Sequence, residues 1–541
     1  MTFKFPVINF SLSQPTTKKF TAMVENLTLP FIIGILGALS IHFFLHFYAN
    51  GLGLSYNDAR SHLDIGRRVV EGLKPGLAQI GSVWLPLPHL LMVPTIWNDF
   101  MWHSGLSGAI QSMISFVATG ALIYLILSKF KVGLLGRIMG VTVFVANINV
   151  LYLQSTAMTE LLLIATMTAG IYELIVWHQD DEIVHIIRSA FWIMLSTLIR
   201  YDGWFLLVMA TGLVVLHMWR RFGRKAAEGI FFLFCTLAGV GIIMWFLWNL
   251  LIFKDPLYFA FGPFSAHAQQ QQLEQAGVLA TKGNLPLSIA IYIRAFIYNA
   301  GAYPSIIAMI GAVVLFMDKR IKSSVRIAST ALFAPLFFNI IALYLGHSVL
   351  FIQGISGNTW FNVRYGLMLI PTIAILFGYL VDRVKPMRPI IIGLYIFFTI
   401  FFLANYDAVT IDDARVGSSQ KNVSEVSSWL EKYTKDEKGF ILISAASHDA
   451  IIFSSGLPMK RFIHEGTGAY WESATTSPDR WARWIIMRTN DNNDLTFNAV
   501  RKTPGYARYD LVGKYPFADI YQLKPEYLPE LNTEATLKNN K

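Results

Sequence analysis

Charge and cysteine are both scarce in this chain. A single cysteine, Cys235, stands among 541 residues, which excludes an intramolecular disulfide and, inside an apolar run, is silent about compartment. Only 14% of the residues are charged and 54% are hydrophobic, whereas a soluble globular chain carries about a quarter charged. An ordinary soluble domain is therefore excluded. Three catalytic signatures are also missing: there is no Walker loop, no G-x-S-x-G elbow and no Rossmann fingerprint in strand–helix context. Nothing points to ATP, so the energy of any reaction has to arrive with the substrate. No His/Cys/Asp/Glu spacing makes a zinc site. A divalent metal has no motif to support it, and no other cofactor is indicated.

What is there reads as a polytopic helical membrane protein. Aromatics are abundant, with 40 Phe, 22 Tyr and 14 Trp, as suits helices that pack in lipid and anchor at its interfaces. The net charge of +10 sits in short loops between apolar runs, where the positive-inside bias places it; nucleic acid is not the expected partner. The first apolar run lacks a small-x-small exit and is too long for a cleavable signal, so it reads as a retained span. About eleven spans are expected, near 29–48, 106–128, 138–154, 158–177, 187–200, 203–219, 229–251, 302–317, 327–346, 365–381 and 389–406. The fifth and sixth come from one long apolar stretch broken at Arg200-Tyr201-Asp202-Gly203, since a turn there costs less than burying two charges in mid-membrane.

Basic residues then gather on alternate loops: Lys129, Lys131 and Arg137; Arg220, Arg221, Arg224 and Lys225; Lys319, Arg320, Lys322 and Arg326; Arg383, Lys385 and Arg388. With Lys4, Lys18 and Lys19 of the tail 1–28, they mark the cytoplasmic side. The other side, outside, receives the loop 49–105, the turns near 154–159 and at Arg200, the loops 252–301 and 347–364, and everything after Tyr406. The plasma membrane of a prokaryote is the expected location. The region 407–541 alternates helix and strand: a helix over 423–433, a strand over 440–444, a short helix over 449–454, then strands over 461–464, 484–488, 509–512 and 519–523. That is a small outer α/β domain after a membrane region, 29–406. Gln269–Gln272 is a low-complexity tract, and Asn422-Val-Ser424 matches a glycosylation sequon of the kind common by chance.

Every chemically equipped loop faces outward. The stretch 56–72 (Tyr-Asn-Asp-Ala-Arg-Ser-His-Leu-Asp-Ile-Gly-Arg-Arg-Val-Val-Glu-Gly) follows the first span directly. Ionisable groups at a membrane boundary are costly to desolvate and mark chemistry or binding. Read as a helix, it puts Asp58 with His62 and Arg60 with Asp64 on shared faces. An amphipathic helix lying on the membrane would account for these charges taken singly. A carboxylate beside a basic cluster also suits proton removal from a hydroxyl and a grip on phosphate. The proline-containing segment 81–91 reads as a bent interfacial piece, with His89 as a structural contact. Glu160 opens a helix at the outer face, where helix capping or a second catalytic carboxylate would both place it. Arg200-Tyr201, with Asp202, and Arg364-Tyr365 stand at outer span ends, where interfacial anchoring and a grip on a lipid-linked phosphate both fit.

Taken in order and sidedness, these motifs resemble the GT-C superfamily of membrane glycosyltransferases, especially the protein mannosyltransferase and aminoarabinose transferase types. The shared features are the first-loop Tyr56-Asn57-Asp58, Thr159-Glu160 at the second outer turn, and Arg364-Tyr365 at the last outer loop. The resemblance implies transfer of a sugar from a polyprenyl-phosphate donor to a protein, lipid or glycan acceptor, as in protein glycosylation or cell-envelope assembly. It implies Asp58 as general base, with Glu160 orienting acceptor or donor. Arg364, together with Arg200 or Arg60, would hold the donor phosphate, supported by His62, Tyr365 and Asp202, with Asp64 as a rival base. Two departures are plain: Ala59 follows Asp58 where many relatives have Glu, and no Asp-x-Asp metal motif surrounds Glu160. A transporter or flippase of lipid-linked sugars is the main rival, but it should carry charges in mid-span and broken helices; a non-catalytic scaffold is the second.

Overall fold

The computed structural model describes residues 14–262, 265–275, 277–405, 408–416 and 420–537. Lys4 and Tyr406 lie outside the described residues, as do the side chains of Lys18, Lys19, Gln269, Gln272 and Asn422.

All eleven apolar stretches contain helix, but of differing length. Among the described residues, eight helical segments are long and apolar enough to span a membrane, or nine if a bent pair counts as one. The difference lies in three places. The stretch 138–154 is two short helices, Leu134–Val145 and Ile148–Leu153. The stretch 187–200 is Ile183–Thr197, 15 residues, about 22 Å at 1.5 Å per residue against about 30 Å of hydrocarbon. The stretch 302–317 is the second half of the pair Leu285–Ala300 and Ala302–Met317, bent by 111° at Gly301, whose φ of +87° suits glycine. The tract around Gln270 is helical within Ala266–Gln275.

The helices sort by exposure. Glu160–Asp180 is buried along nearly its whole length, as is the segment from Val363 to Val381; these form the middle of the bundle. Arg224–Phe253 instead exposes Phe232, Met244, Leu247 and Leu251, an outward face as apolar as lipid requires.

The bundle has two chemically different ends. At one, the basic loops bond to one another: Arg383 pairs with Asp318 at 3.0 Å and donates to the Phe130 carbonyl at 3.1 Å, Lys322 donates to the Gln179 carbonyl at 2.9 Å, and Arg221 meets Asp181 at 2.5 Å. The loops expected to share a side do meet. At the other end lie the loop helix Asn57–Val70, the start of Glu160–Asp180, the Arg200 turn, the 3-10 turn Val363–Leu369 and the linker helix Val409–Val416. The Arg200 turn is tight because position 203 is glycine: a Cβ there would sit 2.4 Å from the Ser196 backbone.

After the linker helix comes a five-stranded mixed sheet: β1 Phe440–Leu442, β2 Phe462–Ile463, β3 Ala482–Met487, β4 Tyr509–Lys514 and β5 Asp519–Leu523. The strand order is β2-β1-β3-β5-β4. β1 pairs in parallel with β2 and β3, while β5 runs antiparallel to both β3 and β4. The expected strands and the helix before them, Gln420–Thr434, are all present. The domain rests on the loop helix through Ala445–Ser454, with Phe453 edge-on to Trp102 at 5.9 Å between ring centres.

Candidate active site

The loop helix begins at Asn57, with Tyr56 as its N-cap in extended backbone. Asp58 therefore falls in the first turn, where the helix dipole favours a carboxylate. Its Oδ2 accepts a hydrogen bond from Arg364 Nη2 at 2.6 Å. The Nε of Arg364 donates to Glu160 Oε1 at 3.0 Å, and the same oxygen accepts from Arg200 Nη1 at 3.2 Å. Asp202 stands 3.5 Å from Arg200 Nε. Four stretches far apart in sequence thus meet in one cluster, around Asp58, Glu160, Arg200 and Arg364. The N-cap residue Thr159 makes no side-chain cap hydrogen bond, and the Glu160 carboxylate is spent on the two arginines. Its second oxygen, Oε2, is buried with no hydrogen-bond partner among the described residues.

The aromatic neighbours frame the guanidinium groups. Arg364 stacks over Tyr56 at 4.9 Å and Tyr365 at 5.4 Å from the ring centres, and Arg200 over Tyr365 at 4.8 Å. Such faces stabilise a partly desolvated cation.

A residue the sequence reading did not single out completes the cluster. Asp413, on the linker helix, lies 3.8 Å from Arg364 Nη1, and its Oδ2 is 3.0 Å from the Tyr56 hydroxyl. Burial first, and then the Asp413 carboxylate, push the Tyr56 phenol well above its ordinary range, so it stays protonated. Two buried asparagines hold both acidic and basic partners in place. Asn149 Oδ1 accepts from the Thr410 amide at 3.0 Å and hydroxyl at 2.8 Å. Its amide donates to the Asn299 carbonyl at 3.0 Å, and the Asn299 amide donates to the Val363 carbonyl at 2.8 Å. The linker helix and the turn bearing Arg364 are tied together through this chain. Gly366 lets that turn approach the helix Leu285–Ala300: a Cβ there would lie 2.4 Å from the Ala295 backbone.

The other candidates fall elsewhere. Arg60 points away from Arg364: its Nε donates to the Leu54 carbonyl and its Nη1 to Ser454 Oγ, both at 2.9 Å. It joins the loop helix to the C-terminal domain instead of facing the cluster. Asp64, six residues after Asp58, is on a different face of the helix and fully buried, accepting from Trp102 Nε1 at 3.2 Å. His62 Nδ1 and His89 Nε2 are 2.9 Å apart, one donating and one accepting. Burial, then Arg200 and Arg364, drive His62 down to about 3, so it is neutral at any working pH. Arg67 is committed to Asp99 at 2.5 Å and the Ile96 carbonyl at 2.8 Å. Among the described residues no group of three or more His, Cys, Asp or Glu is placed to hold a metal ion.

No family description matches the chain, and no curated protein sequence does. Solved structures do. The chain is similar to ArnT from Cupriavidus metallidurans bound to undecaprenyl phosphate, with a TM-score of 0.54 and 9% identity over 90% of this chain and 98% of that one. The apo form of the same enzyme gives 0.53 and 11% identity, with the same coverage. The archaeal oligosaccharyltransferase AglB from Archaeoglobus fulgidus, in complex with an inhibitory peptide and a dolichol-phosphate, gives 0.48 and 11% identity over 86% and 69%. The ArnT likeness covers both membrane region and C-terminal domain. The likeness to ArnT is one of fold.

Proposed function

We propose that this chain transfers a sugar from a polyprenyl-phosphate donor to an acceptor hydroxyl, with inversion, at the non-cytoplasmic face of a prokaryotic plasma membrane. The observation that carries the reading is the Asp58–Arg364–Glu160 cluster: an exposed carboxylate and a buried guanidinium in direct contact at one end of a membrane bundle. The basic loops at the opposite end support a cytoplasmic placement of that end by the positive-inside bias. The fold shared with an undecaprenyl-phosphate-bound ArnT supports a lipid-linked donor.

The reaction balances without ATP. The acceptor oxygen forms a bond to the anomeric carbon, and the bond from that carbon to the phosphate oxygen breaks. The hydroxyl proton passes to Asp58, and the electron pair of the broken bond leaves on the polyprenyl phosphate, whose negative charge rises by one. Arg364, backed by Arg200, stabilises that added charge in a site of low dielectric. Glu160 holds the two arginines at a fixed spacing. Arg60 takes no part in the phosphate site, and the acceptor is a protein, lipid or glycan hydroxyl.

The test is release of polyprenyl phosphate. Purified protein in nanodiscs, given radiolabelled undecaprenyl-phosphate sugars and membrane extract as acceptor, should release undecaprenyl phosphate and label the acceptor. A flippase or scaffold would release none.

A further inference from the structure

The arginine that would hold the phosphate is already surrounded by carboxylates. Each of the three guanidinium nitrogens of Arg364 faces a carboxylate: Nε faces Glu160 at 3.0 Å, Nη2 faces Asp58 at 2.6 Å, and Nη1 faces Asp413 at 3.8 Å. Four carboxylates, counting Asp202 on Arg200, surround two arginines. An arriving phosphate competes with them for the same guanidinium, whose donors lie in a fixed planar fork.

The three partners are not equally held. Glu160 has a fully buried side chain shared between two arginines. Asp413 is 2% exposed, contacts the Tyr56 hydroxyl, and rides on a helix whose Thr410 is bonded twice to Asn149. Asp58 is 42% exposed, and among the described residues its carboxylate has no hydrogen-bond or ion-pair partner except Arg364. Exchanging it for the phosphodiester of the donor replaces one monoanion with another and buries no unpaired charge.

Resting on the sugar-transfer reading, we propose that the carboxylates around Arg364 do two different jobs. Asp413, with Tyr56, is a positioning residue that fixes the guanidinium from the linker helix, while Asp58 is the partner the donor phosphate displaces. Donor binding then uncovers the base at the moment a sugar is present to be attacked. A resting site keeps Asp58 capped on Arg364, and the acceptor meets an active base only after the donor has docked. The linker helix, the first element after the last span, thereby becomes part of the site instead of a tether for the C-terminal domain.

Equilibrium binding of undecaprenyl phosphate to the full-length protein in nanodiscs tests this without turnover. Asp58→Asn removes the competing charge and should tighten binding about two- to fivefold, the scale of one partly exposed ion pair. Asp413→Ala should weaken it by about 10- to 100-fold, the scale of a hydrogen bond to a charged group, and Asp413→Asn, which keeps the shape and a polar contact to Tyr56, should recover most of that loss. Melting temperatures of all variants check folding. Unchanged or weaker binding in Asp58→Asn overturns the displacement; wild-type binding in Asp413→Ala, or no recovery in Asp413→Asn, overturns the positioning role. Failure of the wild type to bind undecaprenyl phosphate at all would count against the sugar-transfer reading itself.

Discussion

Asp58 and Arg364 stand 306 positions apart in sequence and 2.6 Å apart in space. The first follows the first span and the second opens a late one, so the contact is made only when the whole bundle has assembled. Removing Arg364 would leave Glu160 and Asp413 buried with less compensation. Arg364→Ala is expected to destabilise the protein by about 3–5 kcal/mol, as for other buried pairs broken on one side, and to abolish transfer. Differential scanning fluorimetry and the release assay check both. Arg364→Lys should be folded better but remain inactive, because an ammonium lacks the planar fork that faces two carboxylates and a phosphate at once.

Gly366 touches no substrate in this account, yet it sets where Arg364 stands. Gly366→Ala puts a Cβ 2.4 Å from the backbone of Ala295, and neither backbone can yield cheaply in a packed bundle. The expected result is a loss of undecaprenyl-phosphate affinity together with a lower melting temperature. Normal affinity would mean that the turn tolerates displacement.

Arg60 is expected to matter for docking. Its bonds run to Leu54 and Ser454, so Arg60→Ala should leave KM for the donor within about twofold while lowering the melting temperature by the equivalent of about 1–3 kcal/mol. Limited proteolysis should release the C-terminal domain sooner. A donor KM raised by an order of magnitude, with docking intact, would return Arg60 to the phosphate site.

Acid should weaken the fold through its buried histidines. His62 and His464 are both held near 3 by burial, with nearby arginines adding to the shift. The unfolded chain takes up those protons near pH 6.5, so between about 6.5 and 3 it binds more protons than the native state and stability falls as the pH falls. Above 6.5 their contribution is complete and flat. Melting temperature measured against pH should decline through that window, and less steeply in His62→Gln/His464→Gln. Since His62 is neutral at working pH, His62→Gln should leave the shape of the activity–pH profile between 6 and 9 unchanged.

Local patterns exposed much of a site built from distant pieces. Charges directly after an apolar run exposed the loop helix, and Thr159-Glu160 and Arg364-Tyr365 stood out because ionisable residues are rare at span ends. The helices and strands after the last span were legible from their periods. Arg60 could not be sorted from Arg364 because what decides it, Ser454, comes from a domain that folds over the loop helix. Asp413 was missed because its run, Ile411-Asp412-Asp413-Ala414-Arg415, looks like any polar linker; the only signal was its place just beyond the last span. Asn149 and Asn299 were missed because an isolated asparagine in an apolar stretch does not name its partner. Hydropathy windows do not see where a helix ends, so the stretches 138–154 and 187–200 run past the helix ends at Ala146 and Leu198.

The role given to Asp58 is the centre of this account, and single-turnover kinetics of Asp58→Asn test it most directly. With polyprenyl-phosphate sugar bound at saturation, the variant should still hold its donor while the rate of polyprenyl-phosphate release falls by about 10²- to 10⁴-fold, the range for loss of a general base. Release at a rate close to wild type, from a donor bound equally well, would contradict it.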